Sequence, residues 1–198
     1  GYGIVEEFFA CNTTVLDDIR NKALNSYCED LIKKYVNKFP VWAIVEVLSF
    51  GDIINLCDVY YGRREKPPIN TGNFRTVKFL RNAASHNNCL INNLGDNTKK
   101  GFRVNREVST YISTIDGIKA TAQEKKMGNR FIHDFLVMLY CFDSIVSSDG
   151  IKKHQMQKLK DLMDNRIPLH KDYFSDNALI ISSYLFMKKV VDKFAEKC

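Results

Sequence analysis

Three residue types at a fixed spacing set the chemistry this chain can be asked to do. They stand in the run Arg81-Asn82-Ala83-Ala84-Ser85-His86, an arginine and a histidine five positions apart with an asparagine directly after the arginine. An imidazole titrates near neutral pH and moves protons. A guanidinium stays charged and grips phosphate oxygens with a fork of donors. Together they suit chemistry at a phosphate.

The other histidines offer less. Arg130 to His133 is two residues short of the same spacing, and Arg166 to His170 is one short and contains Pro168. His133-Asp134 has no accompanying His/Asp cluster to complete a metal site, and His133 reads as a core or helix-face residue. Glycine-rich phosphate loops and a G-x-S-x-G elbow are absent. No metal or cofactor is expected.

The stretch that must position the pair runs from Phe74 to Leu94, with Phe74, Val77, Leu80, Ala84, Leu90 and Ile91 at roughly helical spacing. Positions five apart lie roughly 140° apart on a straight helix, so Arg81 and His86 do not share a face, whereas Asn82 and His86 do. Either the helix ends or bends near 85–88, or the long arginine swings round. Asn87, Asn88, Asn92 and Asn93 are poor helix formers and permit an irregular end.

Around this stretch the chain reads as all-α. Thr13 or Thr14 caps a helix carried by Leu16, Ile19, Ala23, Tyr27, Leu31 and Tyr35 to about Lys38. Pro40 opens a helix from Val41 to Phe50, apolar nearly all round and so expected to be buried. Gly51 breaks it, and Asp52 caps a helix over 53–61. Residues 62–72 form a Pro-Pro loop, and Thr71 or Asn73 caps the motif helix. A second polar loop spans 95–101. Short helices follow over 104–115 and, ambiguously, 120–127. A strongly apolar core helix spans 129–146, an amphipathic basic one 151–165 until Pro168, and a last one begins at Asp176. Long helices with short loops fit an antiparallel bundle in a single domain over residues 1–198.

Thirty or so positions upstream of the motif stand Trp42, Glu46, Phe50 and Gly51, a Trp-x3-Glu-x3-Phe-Gly segment. With Arg81-Asn82-x3-His86 it resembles the abortive-infection (Abi, AbiD/AbiF-like) family of bacterial phage-defence proteins, and the motif itself resembles that of HEPN-domain ribonucleases. The likeness is good over roughly residues 30–95 and loose beyond. It implies a HEPN-like antiparallel helical bundle. It implies metal-independent cleavage of RNA, with the 2′-hydroxyl as nucleophile, His86 moving protons, Arg81 stabilising the phosphate and Asn82 holding the His86 ring. It implies a homodimer in which two motif helices meet across a two-fold axis, so that one histidine serves as base and the other as acid. It also implies a toxin-like activity silenced by a small RNA or a protein antitoxin. Glu46 either reaches the surface or caps a neighbour, or it orients Arg81 through a charge-assisted hydrogen bond. The alternative within the same resemblance is a non-catalytic HEPN-type module for RNA binding or dimerisation. A helical scaffold with no nucleic-acid role is the third reading.

Composition is compatible with these readings. The chain of 198 residues is 45% apolar, enough for a core, and carries a net charge of +6, which suits a polyanionic partner. Lys78 and Asn87 flank the motif, and Lys99, Lys100, Arg103 and Arg106 form a basic cluster just past it, either a solvated loop or a track for an RNA backbone. Six cysteines lack a C-x-x-C pair, and Cys28, Cys57, Cys89 and Cys141 read as reduced core residues of a cytoplasmic protein. No run is apolar enough to span a bilayer, and no signal peptide opens the sequence. Its start at Gly1-Tyr2-Gly3, without methionine, suggests a piece of a longer protein that carries a further N-terminal segment.

Overall fold

The computed structural model describes residues 1–62, 70–95 and 102–197. Among these residues there is no strand, and the all-α expectation holds. No helix among them is long and apolar enough to cross a membrane. Backbone contacts divide the chain into two compact units, Gly1–Lys78 and Phe79–Cys198.

The first unit holds α1 (Tyr2–Cys11), α2 (Val15–Lys22), α3 (Glu29–Tyr35), α4 (Val41–Val47), α5 (Phe50–Tyr61) and the first half of α6 (Thr71–Ser85). Its core gathers Val5 and Phe8 of α1, Ile19 of α2, Ile32 of α3, Phe39, Ala43 and Ile44 around α4, and Leu56 of α5. The long helix expected up to about Lys38 is broken. After the 3-10 turn Ala23–Asn25, Ser26 is extended (φ −108°, ψ 140°) and its hydroxyl accepts from the Cys28 N–H at 3.0 Å. That short serine bond replaces a helical one, which is how Ser and Asn stop helices.

The break after α4 also falls earlier than glycine alone suggested. Leu48 and Ser49 are extended, and the Ser49 hydroxyl caps α5 by accepting from the Asp52 N–H at 3.2 Å. Asp52 is therefore the third residue of the helix, bonded back to Ser49 at 2.5 Å, and not its cap. Only Ala43 and Ile44 of α4 are buried, so the expectation of burial all round is corrected. A seven-residue helix turned twice against one core shows its other face to water. Trp42 is 58% exposed, its ring edge-on to Tyr35 at 5.2 Å.

The second unit continues with α7 (Arg106–Ser113), α8 (Ala120–Met127), α9 (Arg130–Ile145), α10 (Asp149–Asp161) and α11 (Ala178–Glu196). α9 packs with α7, α8 and α11, as its apolar length predicts. It buries Ile132, Leu136, Val137 and Leu139 with Val108 and Ile112 of α7 and Val190, Val191 and Phe194 of α11. Each of these burials removes a side chain's worth of apolar surface from water, about 1.5–3 kcal/mol apiece before entropy is charged. Asparagine and serine cap the starts: Asn105 for α7, Asn129 for α9, Ser148 for α10 and Asn177 for α11 all accept from the N–H three residues on. Past α10 the backbone widens into a π turn, Leu162–Arg166, before Pro168 opens the 3-10 stretch Pro168–Tyr173.

Candidate functional site

α6 is built to present one face. It is anchored in the first unit by an ion pair from Arg75 to Asp58 of α5, and its start is capped by Asn70, whose side-chain oxygen accepts from the Gly72 N–H at 3.1 Å. Asn73 and Leu80 are buried and Val77 is half-buried. On the opposite side, at i, i+3 and i+7, stand Phe79, Asn82 and His86. Phe79 and His86 are exposed and Asn82 is half-exposed.

His86 sits where the helix stops. Its N–H still bonds the Asn82 carbonyl at 3.0 Å, the last regular helical turn. Then Asn87 takes φ 54°, in the left-handed region. The Asn87 N–H returns to the Ala84 carbonyl at 3.1 Å and the Asn88 N–H to Ala83 at 3.0 Å. This pair of reversed bonds is a Schellman ending, with His86 as the C-cap residue and Asn87 in the position glycine usually takes. Asparagine tolerates it because its short polar side chain eases the left-handed conformation. The segment beyond is tied down by Leu94, which is buried, and by the Asn129 side-chain amide, which donates to the Asn93 carbonyl at 2.7 Å.

Arg81 lies exposed on the flank of the helix. Its Nη1 donates to Asn82 Oδ1 at 3.1 Å. The asparagine oxygen is thus taken by Arg81, and among the described residues the His86 ring has no hydrogen-bond partner. The bond joins sequence neighbours, and the end of the helix leaves His86 at an exposed corner.

The other sequence-derived candidates are spread more widely. Lys78 is half-buried and its ammonium lies against Gly51, where a Cβ would collide with it. Asn87 serves the backbone as described. Arg103 and Arg106 are exposed, the latter at the first position of α7, where the helix dipole opposes a cation. Lys99 and Lys100 lie outside the described residues. Glu46 is exposed on α4, on the same face as Trp42. Of the cysteines, Cys141 is buried, whereas Cys89 is exposed and so not a core residue. Its apolar spacing was read along a helix that has already ended.

Two further features were not singled out from sequence. Arg130, at the start of α9, holds its guanidinium carbon 5.7 Å from the centre of the Phe79 ring. A cavity of about 300 Å³ is lined by Leu94, Gly95, Lys125, Lys126, Asn129, Ile132 and Leu179, none of them a motif residue. In that cavity burial, with the neighbouring Lys125 charge, pushes the Lys126 ammonium below its ordinary value, and its Nζ donates to the hydroxyls of Ser182 and Ser183 at 2.7 and 2.9 Å. The signal for Arg130 was an i, i+4 arginine–aspartate pair on α9; for Phe79 it was the i, i+7 relation to His86. Among the described residues no three His, Cys, Asp or Glu side chains converge as a metal site.

Compared with known families, the chain matches the model described as Abi-like protein over residues 5–92, under half of its length. That span takes in Trp42, Glu46, Phe50, Gly51 and the whole Arg81–His86 run. No curated protein and no solved structure matches the chain.

Proposed function

We propose that this chain is a metal-independent endoribonuclease of bacterial abortive-infection defence, acting as a homodimer with a HEPN-like composite site. The observation that carries the reading is the exposed end of α6, where Arg81 is drawn by Asn82 toward the stripe that holds His86. The Abi-like match over residues 5–92 supports the biological role.

The 2′-hydroxyl of RNA attacks the adjacent phosphorus, and the bond from phosphorus to the 5′-oxygen breaks. One His86 takes the 2′-hydroxyl proton, and His86 of the second copy gives a proton to the leaving 5′-oxygen. The two Arg81 guanidinia stabilise the charge on the crowded phosphate. The products are a 2′,3′-cyclic phosphate and a 5′-hydroxyl. Lys78, Arg103, Arg106 and the lysines at 99 and 100 supply phosphate affinity. The activity is silenced by an antitoxin or an inhibitory small RNA.

One observation favours a second reading, an RNA-binding module without turnover: the unpartnered His86 ring among the described residues, since a catalytic imidazole is usually oriented by a neighbour. Single-turnover cleavage of labelled RNA by the parent, Arg81→Ala and His86→Ala separates the two. Loss of cleavage with RNA affinity retained supports the nuclease. No cleavage by the parent, with salt-dependent binding weakened in both variants, supports the module.

A further inference from the structure

We propose that Phe79 and Arg130 form a stacking subsite that seats one nucleobase of single-stranded RNA beside His86, an inference that rests on the RNA-directed reading above. Phe79 is a large aromatic ring left 57% exposed on the motif face of α6. It stands seven positions before His86, so the two side chains lie about 20° apart and roughly 10 Å along the axis. A nucleotide next to the phosphate handled by His86 falls within reach of the ring.

Arg130 is held for this task from behind. Its Nε pairs with Asp134 Oδ2 at 3.5 Å while 63% of its side chain stays exposed. Asp134 is buried, and its other oxygen meets His133 Nδ1 at 2.8 Å. His133 is buried too, and its Nε2 accepts from the Asn105 N–H at 3.0 Å. That acceptance places the imidazole hydrogen on Nδ1, so it donates to Asp134. A buried relay from the cap of α7 through His133 and Asp134 thus fixes an exposed guanidinium at an exposed ring. The relay explains the buried histidine and carboxylate of α9 without giving them chemistry.

The occupant that suits the pair is a base. Bases stack on aromatic rings and on guanidinium planes alike, whatever their identity, and the phosphates on either side add attraction to Arg130. A second copy of this chain is the competing occupant of an exposed phenylalanine, and the test separates the two.

The experiment measures binding by fluorescence anisotropy, using a 2′-O-methyl single strand that cannot be cleaved and an abasic strand of equal length and charge. Phe79→Ala is expected to weaken the base-bearing strand about tenfold or more, the size of one lost stacked base, and to leave the abasic strand unchanged. Phe79→Trp should restore binding and Phe79→Leu should not, and circular dichroism of all three checks the fold. Equal loss on both strands, no loss, rescue by leucine, or a shift in self-association by sedimentation in place of RNA affinity overturns the subsite. If the parent binds both strands and Phe79→Ala is indifferent, the subsite alone fails. If the parent binds neither, the RNA reading fails with it.

Discussion

Arg81 Nη1 donates to Asn82 Oδ1 at 3.1 Å, and Asn82 stands four positions before His86 on the same side of α6. The bond ties the guanidinium to a residue on the His86 side of the helix, whereas helix geometry sets positions 81 and 86 themselves some 140° apart. In this arrangement Asn82 acts on the arginine more directly than on the histidine.

That relationship makes Asn82→Ala informative. Loss of the amide acceptor releases the guanidinium, and cleavage is expected to fall about tenfold, the scale of one hydrogen bond to a charged group. Arg81→Lys keeps the charge but loses the fork, and is expected to cost on the order of 100-fold in single-turnover rate. An Asn82→Ala variant cleaving at the parent rate contradicts this role.

The end of α6 is testable by stability alone. Asn87 has φ 54°, so Asn87→Ala keeps a Cβ in the left-handed region but removes the polar group that eases it there, and should cost about 1 kcal/mol. Asn87→Gly should be neutral or better. Urea unfolding of the two variants beside the parent checks the pair, and equal destabilisation by glycine and alanine rules out the backbone explanation.

How much of this was legible in the sequence depends on the length scale of the signal. α9, with its apolar run, follows from local pattern, and so does the arrest of α6 within its asparagines. The break at Ser26 was hidden, because Tyr27 fits the helical spacing yet lies fully exposed, and one serine hydroxyl decides the matter. The burial expected for Trp42 and Val45 failed for another reason. Hydrophobicity all round a segment says that it prefers burial, not that seven residues have neighbours on every side. The Arg81–Asn82 bond and the stacking of Arg130 on Phe79 are side-chain choices with no periodic trace.

Acid should loosen the joint between α10 and α11. Hydrogen bonds from Lys188 and then Lys160 hold the Asp164 carboxyl below its ordinary range. A carboxylate with a depressed folded pKa stabilises the fold above its unfolded value, about 3.9, and that stabilisation is lost as pH falls through the lower folded value. Asp164→Asn should therefore melt below the parent at pH 7, and the gap should narrow as pH falls below the ordinary carboxylate range and the parent carboxylate takes up its proton. A gap independent of pH, followed by thermal melts, contradicts the ionic origin.

Thiol reactivity should separate the cysteines. Burial, with Glu107 adding to it, pushes the Cys141 thiol up to about 11, whereas Cys11 and Cys89 are exposed. Mass mapping after brief iodoacetamide treatment at about pH 8 should find Cys11 and Cys89 modified well before Cys141, because the thiolate is the reacting form. Early labelling of Cys141 shows instead that the second unit opens readily.

The nuclease reading is tested most directly by incubating end-labelled single-stranded RNA with the purified chain in EDTA, beside His86→Ala, and identifying the product ends. The expected result is cleavage by the parent alone, leaving 2′,3′-cyclic phosphate and 5′-hydroxyl ends. Cleavage that EDTA abolishes, that leaves 5′-phosphates, or that His86→Ala performs as well as the parent contradicts it.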